Sequence, residues 1–306
     1  MRHVDGTVPA NWKYSWNSKH KEIVEIEIGE EVRIDIPDSS SLQIQEDWTH
    51  KDLDKIDWNR VDSLVGPVKV NGIQKGETVR IDIIDLSVGK WGWSAILRDF
   101  GFLKNRYEQT LVIWDIGKES ASARDGFLDG IKIPLRPMIG ILGTMPAEGE
   151  FPVIPPQSFG GNLDNKYLRK GASIYLPSGK EGAMFAISDP HASQGNGEVC
   201  GTGIETSATA TLSVSKSKHS FNFPVLESHN FENEDVVVFT GIASDMHEAL
   251  HLALTNFISA AERSGMDPRE AYVLASVAGD FEIAEAVDEP NLEVSLKISK
   301  DLFFFN

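Results

Sequence analysis

The sequence predicts a mainly β protein, a sandwich or a barrel, with an α+β part at its C-terminal end. Three observations favour this class. Short apolar runs recur along the first two thirds of the 306-residue chain, and Gly and Pro residues punctuate them. The helical period of apolar residues begins only after Ser244. A chain of this length can build one large hydrophobic core or two or three smaller ones.

The strand predictions follow the chain in order. Residues 22–36 alternate apolar and polar side chains around Gly29, which predicts two strands with one buried face. Residues 46–64 are more polar and predict a short amphipathic helix or a loop. Further strand candidates lie at 66–88, 91–97, 110–116, 172–177, 182–188, 208–215 and 221–226. Two prolines interrupt the apolar stretch 131–143, which suits edge strands and turns better than a helix.

The last quarter of the chain changes character. Ser244 is a plausible N-cap for a helix whose apolar residues recur at helical spacing and which should stop at Gly265. A second helix is predicted to begin near Asp267-Pro268 and to run to about Val277. Residues 280–288 and 292–298 then return to a strand pattern.

Composition excludes several classes of protein. The formal net charge of −17 argues against binding to nucleic acid or anionic membrane surfaces, which need a basic face. The single cysteine, Cys200, rules out an intrachain disulfide framework and a cysteine-based zinc cluster. No secretory signal and no apolar run of about 20 residues is visible, so we expect a cytoplasmic protein without a membrane partner.

One motif suggests zinc but is weak. Residues 247–251 read HEALH and fit the HExxH pattern of zinc proteases. The third histidine of the extended pattern is absent, because Phe257 stands at its position. The two histidines also flank the apolar stripe of the predicted helix, so we interpret them as structural residues.

Residues 160–205 concentrate the groups that can carry chemistry. Asp189 and His191 are two residues apart and share one face of an extended strand, and the glycine-rich turn after them can bring Glu198 back opposite His191. Asn162 and Asp164 repeat the same spacing after paired glycines. The plain alternative is that these are turn residues whose carboxylates cap local amides. We favour the active centre of a metal-assisted hydrolase, because the segment is richer in ligands than turns require.

Cys200 gives a second catalytic hypothesis. It could act as a nucleophile paired with Glu198 or Glu205, but an unpaired cysteine is more often a small buried core residue. Its neighbours in the sequence include no Lys or His that would lower the pKa of its thiol.

The motifs of the whole chain resemble the acetamidase/formamidase family. The resemblance rests on FGGNLD, GASIYLP and GAMFAISDPHASQGNGEVCGTGIE, and on GPVKVNGIQKGETVRIDI, KWGWSAIL, IPLRPMIGILGTMPAEGE and AYVLASVAGDFEIAEAVDEPN in the family's order. It implies hydrolysis of short amides, such as formamide and acetamide, to a carboxylic acid and ammonia. It also implies a cytoplasmic homo-oligomer, a dimer or larger, with a bound divalent cation. Zinc is the first choice for this cation and calcium the alternative.

The resemblance further implies a three-part fold. A jelly-roll-like β-sandwich would comprise residues 1–65 and 144–230 and carry the active-site loops. A small β-barrel would comprise residues 66–143, and an α+β layer would comprise residues 231–306.

Six residues of the ligand-rich segment are the candidates for chemistry. The expected cation ligands are Asp164, Asp189 and His191, the expected general base is Glu198, and the expected substrate-binding residues are Asn162 and Gln194. We expect a small substrate pocket with aromatic walls from Trp91 or Trp93. The remaining alternative is a non-catalytic binding protein in which the Asp/His cluster and its metal only stabilise a β-sandwich.

Three positions depart from the family pattern. Asn196 replaces an Asp between the two glycines, Ser188 replaces the Gly before Asp189, and Asp62-Ser63 stands where a proline-containing turn is usual. These departures bear on the substrate and the metal, not on the fold.

Overall fold

The computed structural model describes residues 1–231, 234–303 and 305. The strands of the first half are β1 (Arg2–Val4), β2 (Trp12–Lys13), β3 (Trp16–Asn17), β4 (Val24–Glu27), β5 (Glu31–Ile36), β6 (Leu64–Asn71), β7 (Thr78–Val88), β8 (Trp91–Ile96), β9 (Thr110–Ile116), β10 (Ser120–Ala123), β11 (Ile133–Pro134), β12 (Met138–Thr144) and β13 (Glu150–Phe151). Three short 3-10 helices lie at Pro9–Asn11, His50–Lys55 and Trp58–Arg60.

The second half contains the remaining strands and both α-helices. They are β14 (Gly160–Asn162), β15 (Ser173–Pro177), β16 (Phe185–His191), β17 (Ala208–Lys216), β18 (Val225–Phe231), β19 (Glu234–Ala243), α1 (Met246–Arg263), α2 (Pro268–Ala278), β20 (Asp280–Glu285) and β21 (Leu292–Ser299). None of the helices among the described residues is both long and apolar enough to span a membrane.

Two large sheets form a sandwich. The first has nine strands in the order β1-β5-β17-β7-β15-β18-β19-β21-β20. The second has the order β14-β12-β16-β6-β2, with β4 paired to β6. One buried cluster joins them, since it contains Ile34 and Ile81 from the first sheet and Val68, Ile139 and Ile187 from the second. The alternating strands predicted at 22–36 thus bury their apolar faces between two sheets.

The strands expected to form a barrel are instead shared among three sheets. Strand β7 belongs to the nine-stranded sheet, whereas β6 and β12 belong to the six-stranded one. Strands β8 to β11 form an open four-stranded sheet, and no closed barrel exists in the part of the chain that the structure describes. The mainly β class with C-terminal helices is confirmed. The domain boundaries at residues 65, 143 and 230 stay a prediction.

The C-terminal helices lie close to their predicted positions. Helix α1 begins one residue later than expected, because Asp245 and not Ser244 caps it by accepting a hydrogen bond from the Glu248 amide at 3.0 Å. Phe257 of α1 packs edge-on against Phe239 of β19, with ring centroids 5.2 Å apart. The prediction missed β19. Most of this strand is buried on both faces, so it shows no alternation.

Candidate active site

His191 lies at the centre of a group of buried acidic side chains. It ends strand β16, and none of its surface is exposed. Its Nε2 atom is 3.1 Å from Asp189 Oδ1, 3.0 Å from Glu205 Oε2 and 3.9 Å from Glu198 Oε1. Its Nδ1 atom is 3.7 Å from Asp164 Oδ1. The predicted candidates Asp164, Asp189, His191 and Glu198 therefore meet in one place.

The Asp164 carboxylate is buried and unsatisfied. Only 1 % of the residue is exposed, and neither carboxylate oxygen has a hydrogen-bond partner among the described residues. Its backbone is held in the left-handed region at φ 43°, where both the Leu163 and Asp164 amides donate to the Gly140 carbonyl oxygen. A buried ionised carboxylate without a partner is costly, and a bound cation would offset that cost.

Gly140 of β12 makes room for two of these carboxylates. A Cβ atom at this position would lie 2.3 Å from Asp189 Oδ2 and 2.7 Å from Asp164 Oδ1. Any side chain larger than hydrogen would displace both groups. No sequence pattern indicates this role, because Gly140 lies in an apolar strand more than 20 residues from either aspartate.

Glu198 reaches the cluster through the predicted glycine-rich turn. Gly197 has φ 88° and Glu198 itself has φ 42°. The Gly197 amide donates to the Ala284 carbonyl oxygen at 2.7 Å, which ties the turn to strand β20. No hydrogen bond reaches the Glu198 carboxylate from the described residues, and the side chain lines a cavity of about 370 Å³ beside the cluster. Its carboxylate is thus free to exchange a proton.

Glu205 joins the site although it was not among the six candidates. Isolated backbone bridges pair it with both His191 and Trp93. Its Oε1 accepts a hydrogen bond from the Gly203 amide at 2.7 Å, and its Oε2 accepts one from Ser39 Oγ at 2.8 Å. Glu205 is the last residue of the ligand-rich segment, where the sequence indicated it only as a partner for Cys200.

Asn162 is oriented by a buried acid. Its Nδ2 donates to Asp288 Oδ2 at 2.6 Å, while its Oδ1 is buried without a hydrogen-bond partner. Both side chains line the main cavity, as does Asp62. The sequence did not indicate Asp288 or Asp62 as site residues, because Asp288 lies after β20 and Asp62 lies before β6, both far along the chain from the ligand-rich segment.

Gln194 does not occupy the position expected for a substrate-binding residue. Its Oε1 lies 2.6 Å from His191 Nδ1, and its Nε2 donates to the Asp164 carbonyl oxygen at 2.7 Å. Both ends of the amide are engaged by protein, and Gln194 is absent from the residues that line the cavity. This arrangement fixes the imidazole and leaves its Nε2 facing the carboxylates.

Burial and mutual repulsion shift the pKa values of the acidic groups. Burial raises the pKa of Asp164 and Glu198 well above the usual range, and burial also raises the pKa of Glu205 to about 7. Burial opposes ionisation of Asp189 too, but the charge of His191 outweighs it and lowers the Asp189 pKa. Burial lowers the pKa of His191, but the negative charges of Asp189 and Glu205 outweigh that effect and raise the His191 pKa. One imidazole cannot neutralise this many carboxylates.

The residues present fit a divalent cation. Two groups of three residues share His191, and in each group the potential ligand atoms lie within 4.8 Å of one another. The first group is Asp164, His191 and Glu198. The second group is Asp189, His191 and Glu205. Carboxylate oxygen and imidazole nitrogen are the donors that such cations take in proteins. A cation would supply the partner that the Asp164 oxygens lack.

The cluster forms one wall of a cavity of about 370 Å³. Asp62, Asn162, Asp164, Asp189 and Glu198 are among its lining residues. Trp93 also lines it, with its Nε1 donating to Asp38 Oδ1 at 3.1 Å, whereas Trp91 does not. The cavity is larger than the small pocket expected for formamide or acetamide.

Cys200 points away from the cluster. Its Sγ is 3.4 Å from the Thr202 carbonyl oxygen and 3.6 Å from Thr202 Oγ1. It is only partly buried and is not among the residues that line the cavity. Nothing in the described contacts activates it as a nucleophile.

The histidines of the HExxH motif lie far from this chemistry. His247 and His251 are both exposed on α1. Neither belongs to a group of potential metal ligands among the described residues. The interpretation of this motif as a zinc-protease site is therefore rejected.

Two of the three departures from the family pattern point away from the cavity. The Nδ2 of Asn196 donates to Glu282 Oε2 at 2.8 Å, and Ser188 Oγ donates to the Ser63 carbonyl oxygen at 2.8 Å. Asp62 instead lines the cavity with a backbone φ of 51°. Burial and the charge of Asp189 raise its pKa.

Comparison with known proteins agrees with this geometry. The model of the acetamidase/formamidase family matches residues 7–152 and 147–305. The chain is 24% identical to a formamidase of Methylophilus methylotrophus, over 95% of this chain and 89% of that protein. It is 25% identical to an acetamidase of Mycolicibacterium smegmatis, over 64% of this chain and 63% of that protein. The crystal structure of an acetamidase from Bacillus halodurans superposes with a TM-score of 0.89 at 28% identity, covering 98% of this chain and 97% of the other.

Proposed function

The chain belongs to the acetamidase/formamidase family, an assignment that makes it an amidohydrolase of linear amides, and we propose that it hydrolyses short aliphatic amides with the help of a bound divalent cation. The products are a carboxylic acid and ammonia. The observation that carries the proposal is the buried Asp164 carboxylate, which has no hydrogen-bond partner among the described residues and lies beside His191 in the wall of the cavity.

Asp164, Asp189 and His191 would hold the cation. His191 would bind through Nε2, since Gln194 engages its Nδ1 at 2.6 Å. Glu205 is a fourth candidate ligand, because its Oε2 lies 3.0 Å from the same nitrogen. The imidazole favours zinc, whereas calcium prefers sites made of oxygen alone. When bound, such a cation polarises an amide carbonyl and lowers the pKa of a coordinated water.

Glu198 would act as the general base. Its carboxylate lines the cavity, 3.9 Å from His191 Nε2, and its pKa is raised by burial and then by the charge of Asp164. A base with a raised pKa can take a proton from water and return it to the departing nitrogen near neutral pH. The oxygen of that water forms a bond to the amide carbonyl carbon, the C–N bond breaks as the nitrogen takes the proton, and the products are the carboxylic acid and ammonia.

Asn162 would hold the substrate amide. Its Oδ1 is buried at the cavity wall without a partner, and the bond to Asp288 fixes the side chain. A free carbonyl oxygen can accept an N–H of an unsubstituted amide. Gln194 is assigned a positioning role instead, because its contacts to His191 and Asp164 use both of its polar atoms.

The direct test measures ammonia release from formamide and acetamide by zinc-loaded protein. We expect turnover that a chelator abolishes and that added zinc restores. Ammonia release that persists after complete metal removal would refute the cation's role. Absence of release from every amide by protein of measured metal content would instead support the non-catalytic binding alternative.

We also propose that the chain forms a homo-oligomer. Support comes from large apolar side chains that remain exposed, among them Phe102 at 68% and Val277 at 75%. Light scattering of the purified protein decides between monomer and oligomer. A cytoplasmic location stays a prediction.

A further inference from the structure

We infer that the substrate carries an apolar acyl group larger than the methyl group of acetamide. This inference rests on the proposed amide hydrolysis and names the substrate class of the same site. It comes from the size of the cavity, about 370 Å³, and from the division of its lining into a carboxylate end and an apolar end. The apolar end has no role in the hydrolytic chemistry.

The apolar end is assembled from three separate segments of the chain. Its side chains come from the region of the second and third 3-10 helices, from the loop after β8 and from the loop after β13, and they are Ile56, Trp58, Val61, Leu97, Phe100 and Ile154. Ile56 is buried, and Val61, Leu97, Phe100 and Ile154 are half-buried. Surfaces of this kind favour aliphatic or aromatic carbon over water.

The loop that supplies Leu97 and Phe100 is fastened to the catalytic segment. The Phe102 amide donates to the Val199 carbonyl oxygen at 2.9 Å. Gly101 lies so close to Cys200 that a Cβ atom would be 2.6 Å from the Cys200 carbonyl oxygen. Lys104 Nζ also pairs with Glu289 Oε2 at 2.9 Å. These contacts make the apolar wall a built part of the cavity.

Charge restricts the acyl group further. Six carboxylates line the cavity in addition to the rim residue Asp99, and they are Asp62, Asp164, Asp189, Glu198, Glu205 and Asp288. The lining holds far more acidic than basic groups, which disfavours a negatively charged acyl chain. Arg98 is an exposed residue at the rim beside Asp99, so it adds little net positive charge. The favoured acyl group is therefore neutral and apolar.

The volume sets its size. A cation, its water and the four heavy atoms of acetamide fill at most about a quarter of the cavity if each takes the about 10–15 Å³ that one water needs in a cavity. The rest can hold a chain of several carbons or a small ring. Each methylene that moves from water onto the apolar wall should raise kcat/KM about fourfold, as long as the wall still has room.

The experiment compares kcat/KM for formamide, acetamide, butyramide, hexanamide and phenylacetamide with the zinc-loaded protein. We expect butyramide to exceed acetamide by at least about tenfold. A maximum at formamide or acetamide with a fall at butyramide would overturn the inference and leave the proposed amide hydrolysis intact. No turnover of any member would refute the proposed function and the inference together.

A variant locates the acyl group. Ile154→Trp fills part of the apolar end and should lower the ratio of kcat/KM for hexanamide to that for acetamide by about tenfold or more. Ile84→Trp is the matched control, because Ile84 is 46% exposed on β7 and lies outside the cavity. The control should keep the ratio. An unchanged ratio in folded Ile154→Trp would contradict the assignment of this wall, and if that variant does not fold, the substrate series with the unaltered protein decides.

Discussion

Replacing Gly140 by alanine tests whether the two aspartates are held as the structure places them. The backbone of Gly140 does not lie in the left-handed region, so alanine can adopt its conformation. The added Cβ atom would lie 2.3 Å from Asp189 Oδ2 and 2.7 Å from Asp164 Oδ1, whereas ordinary contacts begin at 3.4 Å. The Asp189 backbone carbonyl oxygen would also lie 2.8 Å from it, so both carboxylates and the backbone of β16 must move, the Asp189 carboxylate by about 1 Å.

The expected losses follow from that displacement. A shift of about 1 Å in a positioned catalytic group costs on the order of 100-fold in rate, or about 2.7 kcal/mol of transition-state stabilisation. Overpacking costs about 1–3 kcal/mol in the free energy of unfolding, which lowers Tm by roughly 2–5 °C for a chain of this size. Activity should thus fall by far more than stability explains.

The assay measures kcat/KM with acetamide, bound zinc per chain and Tm. Gly195→Ala is the matched control, because Gly195 lies in the ligand-rich segment that also holds Asp164 and Asp189, has no positive φ, and a Cβ atom there meets no atom within 4 Å. The control should match the unaltered protein in all three measurements. A Gly140→Ala protein with unchanged activity and zinc content would refute the proposed pairing of Asp164 and Asp189 at the cation.

Four further outcomes are expected. Glu198→Gln should lower kcat by about 10²–10⁴ while circular dichroism stays unchanged, and an active variant would exclude the base role. Cys200→Ala should keep kcat/KM within about twofold, whereas a loss of more than about tenfold would restore the thiol hypothesis. Gln194→Leu should weaken zinc binding by about 10–100-fold in a competition titration, and unchanged affinity would contradict its positioning role. Glu293 is buried in β21, and burial raises its pKa to about 8. As pH rises from 5 to 8, its carboxyl group is ionised in the unfolded chain but still protonated in the folded protein. The free energy of unfolding of the metal-free protein should therefore fall over this range. Glu293→Gln should reduce this change of the free energy of unfolding with pH, as measured in denaturant titrations. An unchanged pH dependence in the variant would show that other groups cause it.

The sequence by itself determined the class of the fold and the location of the chemistry. Apolar alternation predicted strands such as β5 and β7, and the helical period predicted α1 and α2 within a few residues. These patterns are readable because strand and helix geometry repeat over two to four residues. The density of ligands in 160–205 likewise pointed to the segment that holds Asp164, His191 and Glu198.

The failures of the sequence-based predictions lie where segments distant in the chain meet. Strand β19 escaped detection because burial on both faces erased its alternation. Substrate binding by Gln194 stays a prediction, and its hydrogen bonds to His191 and to the Asp164 carbonyl oxygen support the proposed positioning role instead. The expected barrel did not form, since β6, β7 and β12 pair with strands outside residues 66–143.

Only the tertiary structure decided how the site is built. Asp62, Asp164 and Asp288 are separated by long stretches of chain, and tertiary packing brings them to one cavity, while Gly140 packs against the Asp164 carboxylate. The apolar wall from the loops that supply Phe100 and Ile154 also arises only on folding, and it enlarges the pocket beyond the expected size. Local periodicity encodes each element, but the distances between side chains of different elements depend on packing, which no short window of sequence contains.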